Sequence, residues 1–166
     1  KGTLFVCLRG AHADGHDYLF SAADRGACAA VVAREYAGEI PEGLCILRVP
    51  STRAAAAYLY DAWCGQPSQK MQFVGVTGTN GKTSVAWVLY GLLQYAQIPC
   101  ALIGTVGCKG PGGEIPKDTS GVANMTTPEP AQLYPMLAKF AEQGARIVVM
   151  EVTSHALVQE RCAPLR

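Results

Sequence analysis

Short apolar runs alternate with helical stripes along this 166-residue chain. In its first part the pattern predicts strands at 3–8, 28–33 and 44–49, because each is a brief run of mainly apolar residues. A short helix is predicted between the first two strands, at 18–26. The alternation of strands with helices is typical of an α/β fold.

A longer helix is predicted after Ser51, whose side chain can cap its first turn. Four apolar residues recur at helical spacing in this segment: Ala55, Tyr58, Leu59 and Ala62. The alanines at 54–57 predict a tightly packed face on the same helix. Residues 65–68 then interrupt the pattern, so we expect one domain at 1–68 and a second at 69–166.

The second part opens with a predicted strand at 73–76, a glycine-containing loop at 78–81 and a helix that begins where the loop ends. The helix is predicted from an apolar stripe: Val85, Val88, Leu89, Leu92 and Ala96. The next strand is predicted at 100–106. The Gly- and Pro-rich segment 107–121 after it is interpreted as a surface hairpin or loop without chemistry of its own.

A further helix is predicted with Thr127 as its N-cap and Pro128 at its first position, ending at Gly144. Because Pro135 lies inside this span, we expect a kink or a later start. The apolar run 146–151 after it is expected of a buried parallel strand. Such strands present their carboxyl ends, here a glutamate, at the edge where α/β sheets bind ligands.

Composition excludes several classes of protein. With 49% hydrophobic and 16% charged residues and a net charge of +1, the chain can bury a core and is not expected to bind nucleic acid. No apolar run approaches the roughly 20 residues of a membrane span. The seven cysteines form no C-x-x-C pair, so we expect buried, reduced thiols in a cytoplasmic protein and no zinc site.

The strongest chemical signal is the segment 75–84, GVTGTNGKTS. Glycines let backbone N–H groups surround phosphate oxygens, and the following helix directs its positive end to the same anion. The candidate nucleotide-binding residues are Gly78, Thr79, Asn80, Gly81, Lys82, Thr83 and Ser84. Lys82 would reach the terminal phosphates and Thr83 would ligate Mg²⁺. The general phosphate-loop pattern has glycine where this chain has Val76, so the loop is a variant.

Glu151 is the second signal, because a bound nucleotide needs a carboxylate to hold its magnesium ion, directly or through water. We therefore predict Thr83 and Glu151 as metal-binding residues, with Lys82 and Glu151 as the catalytic pair. The alternative for Glu151 is a solvated acid at the end of a strand.

The loop sequence GTNGKT resembles the ATP loop of the Mur ligase family, which also includes folylpolyglutamate synthetases. The family's loop lacks the first glycine, so Val76 agrees with it. Segments 125–129 and 150–161 resemble the tripeptide-synthetase branch of the family. Segments 2–6 and 10–17 are similar to its uridine-nucleotide domain, so the resemblance spans essentially the whole chain.

The resemblance implies a partial UDP-sugar-peptide-binding domain followed by the first half of a P-loop domain with a mainly parallel sheet. Such ligases use ATP and Mg²⁺ to phosphorylate the free carboxylate of UDP-N-acetylmuramoyl-L-alanyl-D-glutamate. The amine of a third amino acid, meso-diaminopimelate or L-lysine, then attacks the acyl phosphate in peptidoglycan precursor synthesis.

The resemblance also assigns substrate-binding residues, position by position. Those expected to bind the muramoyl-dipeptide are Thr126, Thr127, Thr153, Gln159 and Arg161, and those expected at the uridine are Ala11, His12 and Ala13. Position 153 is more usually serine in the family, so Thr153 adds a methyl group to the contact. Thr127 has the second interpretation of a helix cap, and the role of His155 stays open.

The family's carbamylated lysine, a further magnesium-binding histidine and the amino-acid-binding domain would follow Arg166, and part of the uridine site would precede Lys1. We therefore expect this chain alone not to turn over. Three alternatives remain: a different P-loop phosphotransferase, a non-catalytic nucleotide-binding homologue, and another Mur ligase or a folylpolyglutamate synthetase.

Overall fold

The computed structural model describes residues 2–10, 12–111, 113–114 and 126–165. Internal packing divides the chain into two compact units, Lys1–Ala56 and Ala57–Arg166. Both units are α/β, as predicted. The division falls inside a helix, and the domain boundary near residue 68 stays a prediction.

The first unit contains a three-stranded parallel sheet in the order β1-β2-β3. Its elements are β1 (Thr3–Val6), α1 (Leu19–Asp24), β2 (Ala27–Ala33) and β3 (Cys45–Val49). A core cluster of Cys7, Leu19, Ala30, Val32 and Leu44 lies among them. The three predicted strands and the short helix are therefore confirmed, with ends that shift by one to two residues.

The helix α2 (Thr52–Trp63) begins as predicted, with the Ser51 hydroxyl accepting a hydrogen bond from the Ala54 N–H at 3.1 Å. Its buried face is not the predicted apolar stripe, because Tyr58 and Leu59 are exposed. The buried residues are Thr52, Ala56, Ala57 and Asp61. The Asp61 carboxylate is satisfied there, since it accepts hydrogen bonds from the Ser68 N–H and hydroxyl at 3.0 and 2.7 Å.

The second unit contains a five-stranded sheet in the order β4-β8-β5-β6-β7. Its strands are β4 (Gln72–Val76), β5 (Cys100–Gly104), β6 (Gly107–Gly110), β7 (Gly113–Glu114) and β8 (Ile147–Glu151). The first three in the sheet order are parallel, and β6 and β7 add antiparallel pairs at one side. The predicted buried parallel strand is therefore confirmed as β8, which lies between β4 and β5.

Helices cover both faces of this sheet. They are α3 (Lys82–Tyr95), α4 (Pro130–Glu142) and the short α5 (Ser154–Val158). Along β8, Val148 and Met150 belong to a core cluster with four buried residues of α4, whereas Val149 packs in a cluster with Ala86 of α3. This alternation follows from the two-residue period of a strand, and it makes β8 apolar on both faces up to its last residue, Glu151.

The predicted packing face of α3 is wrong in part. Val85, Val88 and Leu92 are exposed, while the residues that pack on the sheet side are Ala86, Trp87, Leu89, Tyr90 and Leu93. The helix is apolar on two sides, so periodicity alone fits either stripe. The small Ala86, which is fully buried, lets the helix approach the sheet closely.

The helix α4 starts later than predicted, with Glu129 as its N-cap and Pro130 in its first turn. The N-cap prediction for Thr127 is therefore wrong, since the hydroxyl of Thr127 bonds elsewhere. The helix continues through Pro135, and the predicted stop is confirmed at Gly144, whose φ is +83°.

The segment predicted as a surface hairpin or loop begins as β6, which pairs antiparallel with β5, and continues into β7. Residues 112 and 115–125 lie outside the described part of the chain. Lys109 of β6 lies over the ring of Trp87, with Nζ 5.0 Å from the ring centroid. The strand predicted at 100–106 ends at Gly104.

Two observations complete the fold. Burial raises the pKa of the buried Cys7 thiol and of the partly buried Cys162 thiol to about 11, as expected of inert cysteines, but Cys28 and Cys45 are exposed. The prediction of buried thiols is therefore wrong for those two strand residues. Within the described residues, no helix has the length and apolar character that crossing a bilayer requires.

Candidate functional site

The glycine loop joins the carboxyl end of β4 to the first residue of α3. Gly78 and Gly81 have φ values of +140° and +77°, which L side chains rarely adopt. Gly81 is also the N-cap of α3, so the first amide groups of the helix point into the loop. The sequence Gly78–Gly81 thus has the backbone of an anion-binding turn at a helix N-terminus.

Lys82 folds back over this loop. Its Nζ donates a hydrogen bond to the carbonyl oxygen of Gly78 at 2.7 Å. The loop residues Thr79 and Asn80 are exposed, as is Ser84 on the first turn. The ammonium group therefore lies over the loop, and its contact with a phosphate chain stays a prediction.

Glu151 is the last residue of β8, and only 1% of its surface is exposed. Its Oε2 accepts hydrogen bonds from the hydroxyls of Thr83, at 3.0 Å, and Thr105, at 3.2 Å. Its Oε1 accepts one from the Thr105 N–H at 3.0 Å. The alternative of a solvated strand-end acid is therefore wrong.

These groups fit a magnesium ion bound together with a nucleotide. The Thr83 Oγ1 and Glu151 Oε2 atoms are 3.0 Å apart, about the separation of neighbouring ligands around Mg²⁺ at roughly 2.1 Å. The described residues include no cluster of three or more His, Cys, Asp or Glu able to hold a metal. Such a site would need phosphate and water oxygens to complete it, which is how Mg²⁺ is usually bound beside nucleotides.

Thr127 also contacts the end of β8 and the loop that follows it. Its hydroxyl is buried, donates to the Glu151 carbonyl oxygen at 2.9 Å and accepts from the Thr153 N–H at 3.1 Å. The Thr153 hydroxyl caps α5 by accepting from the Ala156 N–H at 3.1 Å. Both side chains therefore have structural contacts, and their substrate contacts stay predictions.

Arg161 is buried beneath the same segment. Its guanidinium donates to the Thr127 carbonyl oxygen at 2.6 Å and to Gln159 Oε1, and pairs with Glu129 Oε1 at 2.6 Å. The predicted substrate residues 126–127, 153, 159 and 161 are thus brought together. Arg161 contacts a backbone carbonyl and two side chains of the protein, and its contact with the substrate stays a prediction.

Replacing Arg161 with alanine should lower the free energy of unfolding of the second unit by about 2–3 kcal/mol, because it removes charge-assisted hydrogen bonds and leaves a buried carbonyl unsatisfied. Urea unfolding of the full-length protein measures the change. Arg146→Ala, at an exposed arginine, is the matched control and should change stability by less than about 0.5 kcal/mol. Equal effects of the two variants would contradict the bonding role of Arg161.

Sequence reasoning missed two residues of the site, Gly104 and Thr105. Gly104 is the last residue of β5 and Thr105 follows it, and the carboxyl end of β5 lies at the same sheet edge as those of β4 and β8. A Cβ atom at Gly104 would lie 2.2 Å from Glu151 Oε1, so only glycine leaves room for the carboxylate. The predicted strand 100–106 included both residues, so the strand-end rule used for Glu151 did not indicate them.

The predicted uridine-contacting residues lie in the first unit. His12 and Ala13 are exposed in a turn closed by the bridge between Arg9 and Asp14, and Ala11 lies outside the described residues. The turn is tight, since the Gly10 N–H donates to the Ala13 carbonyl oxygen at 2.8 Å. The contact with uridine stays a prediction.

Asp14 and His16 anchor this turn to the sheet. Asp14 Oδ1 accepts from the His16 N–H at 3.0 Å and contacts His16 Nδ1 at 2.6 Å. His16 Nε2 accepts from the Ala33 N–H at 3.0 Å, so a neutral ring carries its proton on Nδ1, directed at Asp14. These bonds and the neighbouring Arg9 hold the pKa of the Asp14 carboxyl well below its usual range.

Comparison with known families matches residues 76–165 to the model of the Mur ligase middle domain. Over 161 residues the chain is 41% identical to UDP-N-acetylmuramoyl-L-alanyl-D-glutamate–2,6-diaminopimelate ligase of Geobacter metallireducens, covering 97% of this chain and 30% of that protein. It is 40% identical over 156 residues to the protein of the same name from Bacillus licheniformis, covering 94% of this chain and 30% of that protein.

A solved structure titled as the same kind of ligase gives a TM-score of 0.62 at 25% identity. The match covers 90% of this chain and 28% of the solved one. The chain thus spans about a third or less of the length of the relatives it matches.

Proposed function

This chain belongs to the Mur ligase family, and from that premise we propose that the full-length protein is an ATP-dependent amide-forming ligase. Its acceptor is UDP-N-acetylmuramoyl-L-alanyl-D-glutamate, and the amino acid added is a diamino acid, with 2,6-diaminopimelate favoured over L-lysine by the names of its relatives. The observation that carries the proposal is the contact between Thr83 of the phosphate loop and the buried Glu151 carboxylate.

The proposed reaction overcomes the poor reactivity of a free carboxylate. A carboxylate oxygen of the substrate attacks the γ-phosphorus of ATP, the bond to ADP breaks, and an acyl phosphate forms. The amine nitrogen of the amino acid then attacks the carbonyl carbon, loses a proton and expels inorganic phosphate. Both steps move negative charge near the loop, where positive groups lower its energy.

Each described residue of the loop has a part in that chemistry. The amides of Gly78–Gly81 and the α3 N-terminus hold the phosphates, and Lys82 neutralises charge on the transferred group. Thr83 and Glu151 would hold Mg²⁺, which supplies further charge neutralisation when bound. Because Glu151 is buried, its carboxylate is held in a fixed position and does not move freely in solvent.

The acceptor substrate would bind beyond the carboxyl ends of β5 and β8. Five residues there are proposed to contact it: Thr126, Thr127, Thr153, Gln159 and Arg161. The turn at His12 and Ala13 is proposed for the uridine, together with Ala11. A product of this kind serves peptidoglycan precursor synthesis, and its nucleotide substrates are cytoplasmic, which is the location we propose.

The test is phosphate release by the full-length protein with ATP, Mg²⁺ and the nucleotide-dipeptide, and separately with meso-diaminopimelate or L-lysine. Phosphate release that requires both the nucleotide-dipeptide and one amino acid is the expected result, and mass spectrometry should find the matching tripeptide product. Hydrolysis indifferent to the nucleotide-dipeptide would count against this ligase. ATP binding without any turnover would favour the non-catalytic alternative.

A further inference from the structure

Thr105 occupies the first position after β5. It lies between Glu151, which is proposed to bind the metal, and Thr126, which is proposed to bind the acceptor substrate. It contacts Glu151 twice, with its backbone N–H on Oε1 at 3.0 Å and its hydroxyl on Oε2 at 3.2 Å. The same hydroxyl lies 3.0 Å from the hydroxyl of Thr126. Thr105 is not among the residues assigned to the proposed reaction above.

The two contacts of Thr105 act on different oxygens of one carboxylate. The terminal torsion of a glutamate side chain is broad and roughly two-fold, so a single hydrogen bond leaves the carboxylate plane loosely defined. A hydrogen bond to each oxygen from one residue fixes that plane. Oε2 is thereby held beside Thr83 Oγ1, the other proposed ligand of Mg²⁺.

The hydroxyl protons also have a defined direction. A carboxylate only accepts, so the single hydroxyl proton of Thr105 goes to Glu151 Oε2. The contact between the two threonine hydroxyls is then donated by Thr126. The order Thr126 to Thr105 to Glu151 connects a residue proposed to bind the acceptor substrate with a residue proposed to bind the metal.

We propose that Thr105 is a positioning residue that holds the Glu151 carboxylate in the orientation required for Mg²⁺ and links it to Thr126. The inference rests on the proposed function for the identity of the metal–nucleotide ligand. A purely structural role for Thr105 would be met by its backbone N–H and by packing of its methyl group. The hydroxyl is the part that only the positioning role requires.

Three variants of the full-length protein separate these roles. Thr105→Val keeps the shape and the N–H but loses the hydroxyl, Thr105→Ser keeps the hydroxyl but loses the methyl group, and Thr105→Ala loses both. The readout is ADP affinity by isothermal titration calorimetry, with Mg²⁺ and with EDTA. For Thr105→Val we expect affinity with Mg²⁺ to fall at least about fivefold and affinity with EDTA to stay within twofold of wild type.

Thr105→Ser should restore Mg²⁺-dependent affinity to within twofold of wild type, and in turnover Thr105→Val should need more Mg²⁺ for half-maximal rate. If Thr105→Val does not fold, Thr105→Ala carries the same expectation. Wild-type Mg²⁺ dependence in the variant lacking the hydroxyl would overturn the inference, as would equal losses in the serine and valine variants.

The failure of this inference is distinguishable from failure of the proposed function. If the wild-type protein turns over the nucleotide-dipeptide and Thr105→Val binds ADP with unchanged Mg²⁺ dependence, only the role of Thr105 is contradicted. If Thr105→Val loses Mg²⁺-dependent ADP binding and the wild-type protein does not turn over the nucleotide-dipeptide, only the choice of acceptor is contradicted.

Discussion

Replacing Lys82 with methionine should lower kcat of the full-length protein by about 10²- to 10³-fold, the usual effect of removing one preorganised charged donor from a developing negative charge. The Lys82 ammonium is held over the loop by the Gly78 carbonyl oxygen at 2.7 Å, so its position is set before the nucleotide binds. Methionine keeps much of the length of the side chain and removes the charge. Phosphate release at saturating nucleotide-dipeptide and amino acid measures the effect.

The matched control is Lys70→Met, because Lys70 is exposed and precedes β4, at the opposite edge of the sheet from the loop. It should retain kcat within about twofold. Equal losses in the two lysine variants would show that general charge, and not the position over the loop, matters. If Lys82→Met retains the kcat of the wild-type protein, the proposed role of the phosphate loop in the reaction is contradicted.

Replacing Gly104 with alanine should reduce Mg²⁺-dependent turnover at least about 100-fold, the scale on which small displacements of catalytic groups act. The new Cβ would lie 2.2 Å from Glu151 Oε1 and 3.0 Å from its Cδ, so the carboxylate must move. That movement breaks its hydrogen bonds to Thr105 and separates it from Thr83. The overpacking should also cost about 1–3 kcal/mol of stability.

Gly91→Ala provides the control for this substitution. Gly91 lies in α3, and a Cβ there would meet nothing within 4 Å, so alanine should leave turnover unchanged and stabilise the helix slightly. The melting temperature with and without Mg²⁺ and ADP separates folding from binding. If Mg²⁺ and ADP raise the melting temperature of Gly104→Ala as much as that of the wild-type protein, the displacement of Glu151 is contradicted.

The sequence predicted the parts of the site that depend on local order along the chain. The loop 78–81 and the helix after it follow from glycines, a Lys-Thr pair and an apolar stripe that are adjacent in sequence. Glu151 follows from an unbroken apolar run, because a parallel strand that is buried on both faces is apolar along its length and presents its last residue at the ligand-binding edge. These inferences needed no knowledge of tertiary contacts.

The errors arise where tertiary contacts decide between locally equivalent choices. Thr127 and Glu129 could each cap a helix that begins near two prolines, and capping preference favours threonine. The structure instead uses the Thr127 hydroxyl to bond the Glu151 carbonyl oxygen, 24 residues away in sequence. Likewise, the two apolar sides of α3 were distinguishable only by the sheet against which one of them packs.

Thr105 escaped prediction for a related reason. It is a single polar residue after an apolar strand, without a motif around it, and its partner Glu151 is 46 residues away in sequence. The strand order alone would have revealed it, because β5 and β8 are neighbours that end at the same edge. Such an inference needs the pairing of strands, which local periodicity does not supply.

The segment that carries Thr127 and Glu129 is held to the rest of the unit by side chains and not by strand pairing. Its anchors include the Thr126 and Thr127 hydroxyls and the guanidinium of Arg161. Exchanging one of these side chains changes the fit of the segment without breaking a hydrogen bond between strands of the sheet. Single substitutions there can therefore alter the side of this unit proposed for the acceptor, while the side proposed for the nucleotide, built on the paired ends of β4, β5 and β8, keeps its strand pairing.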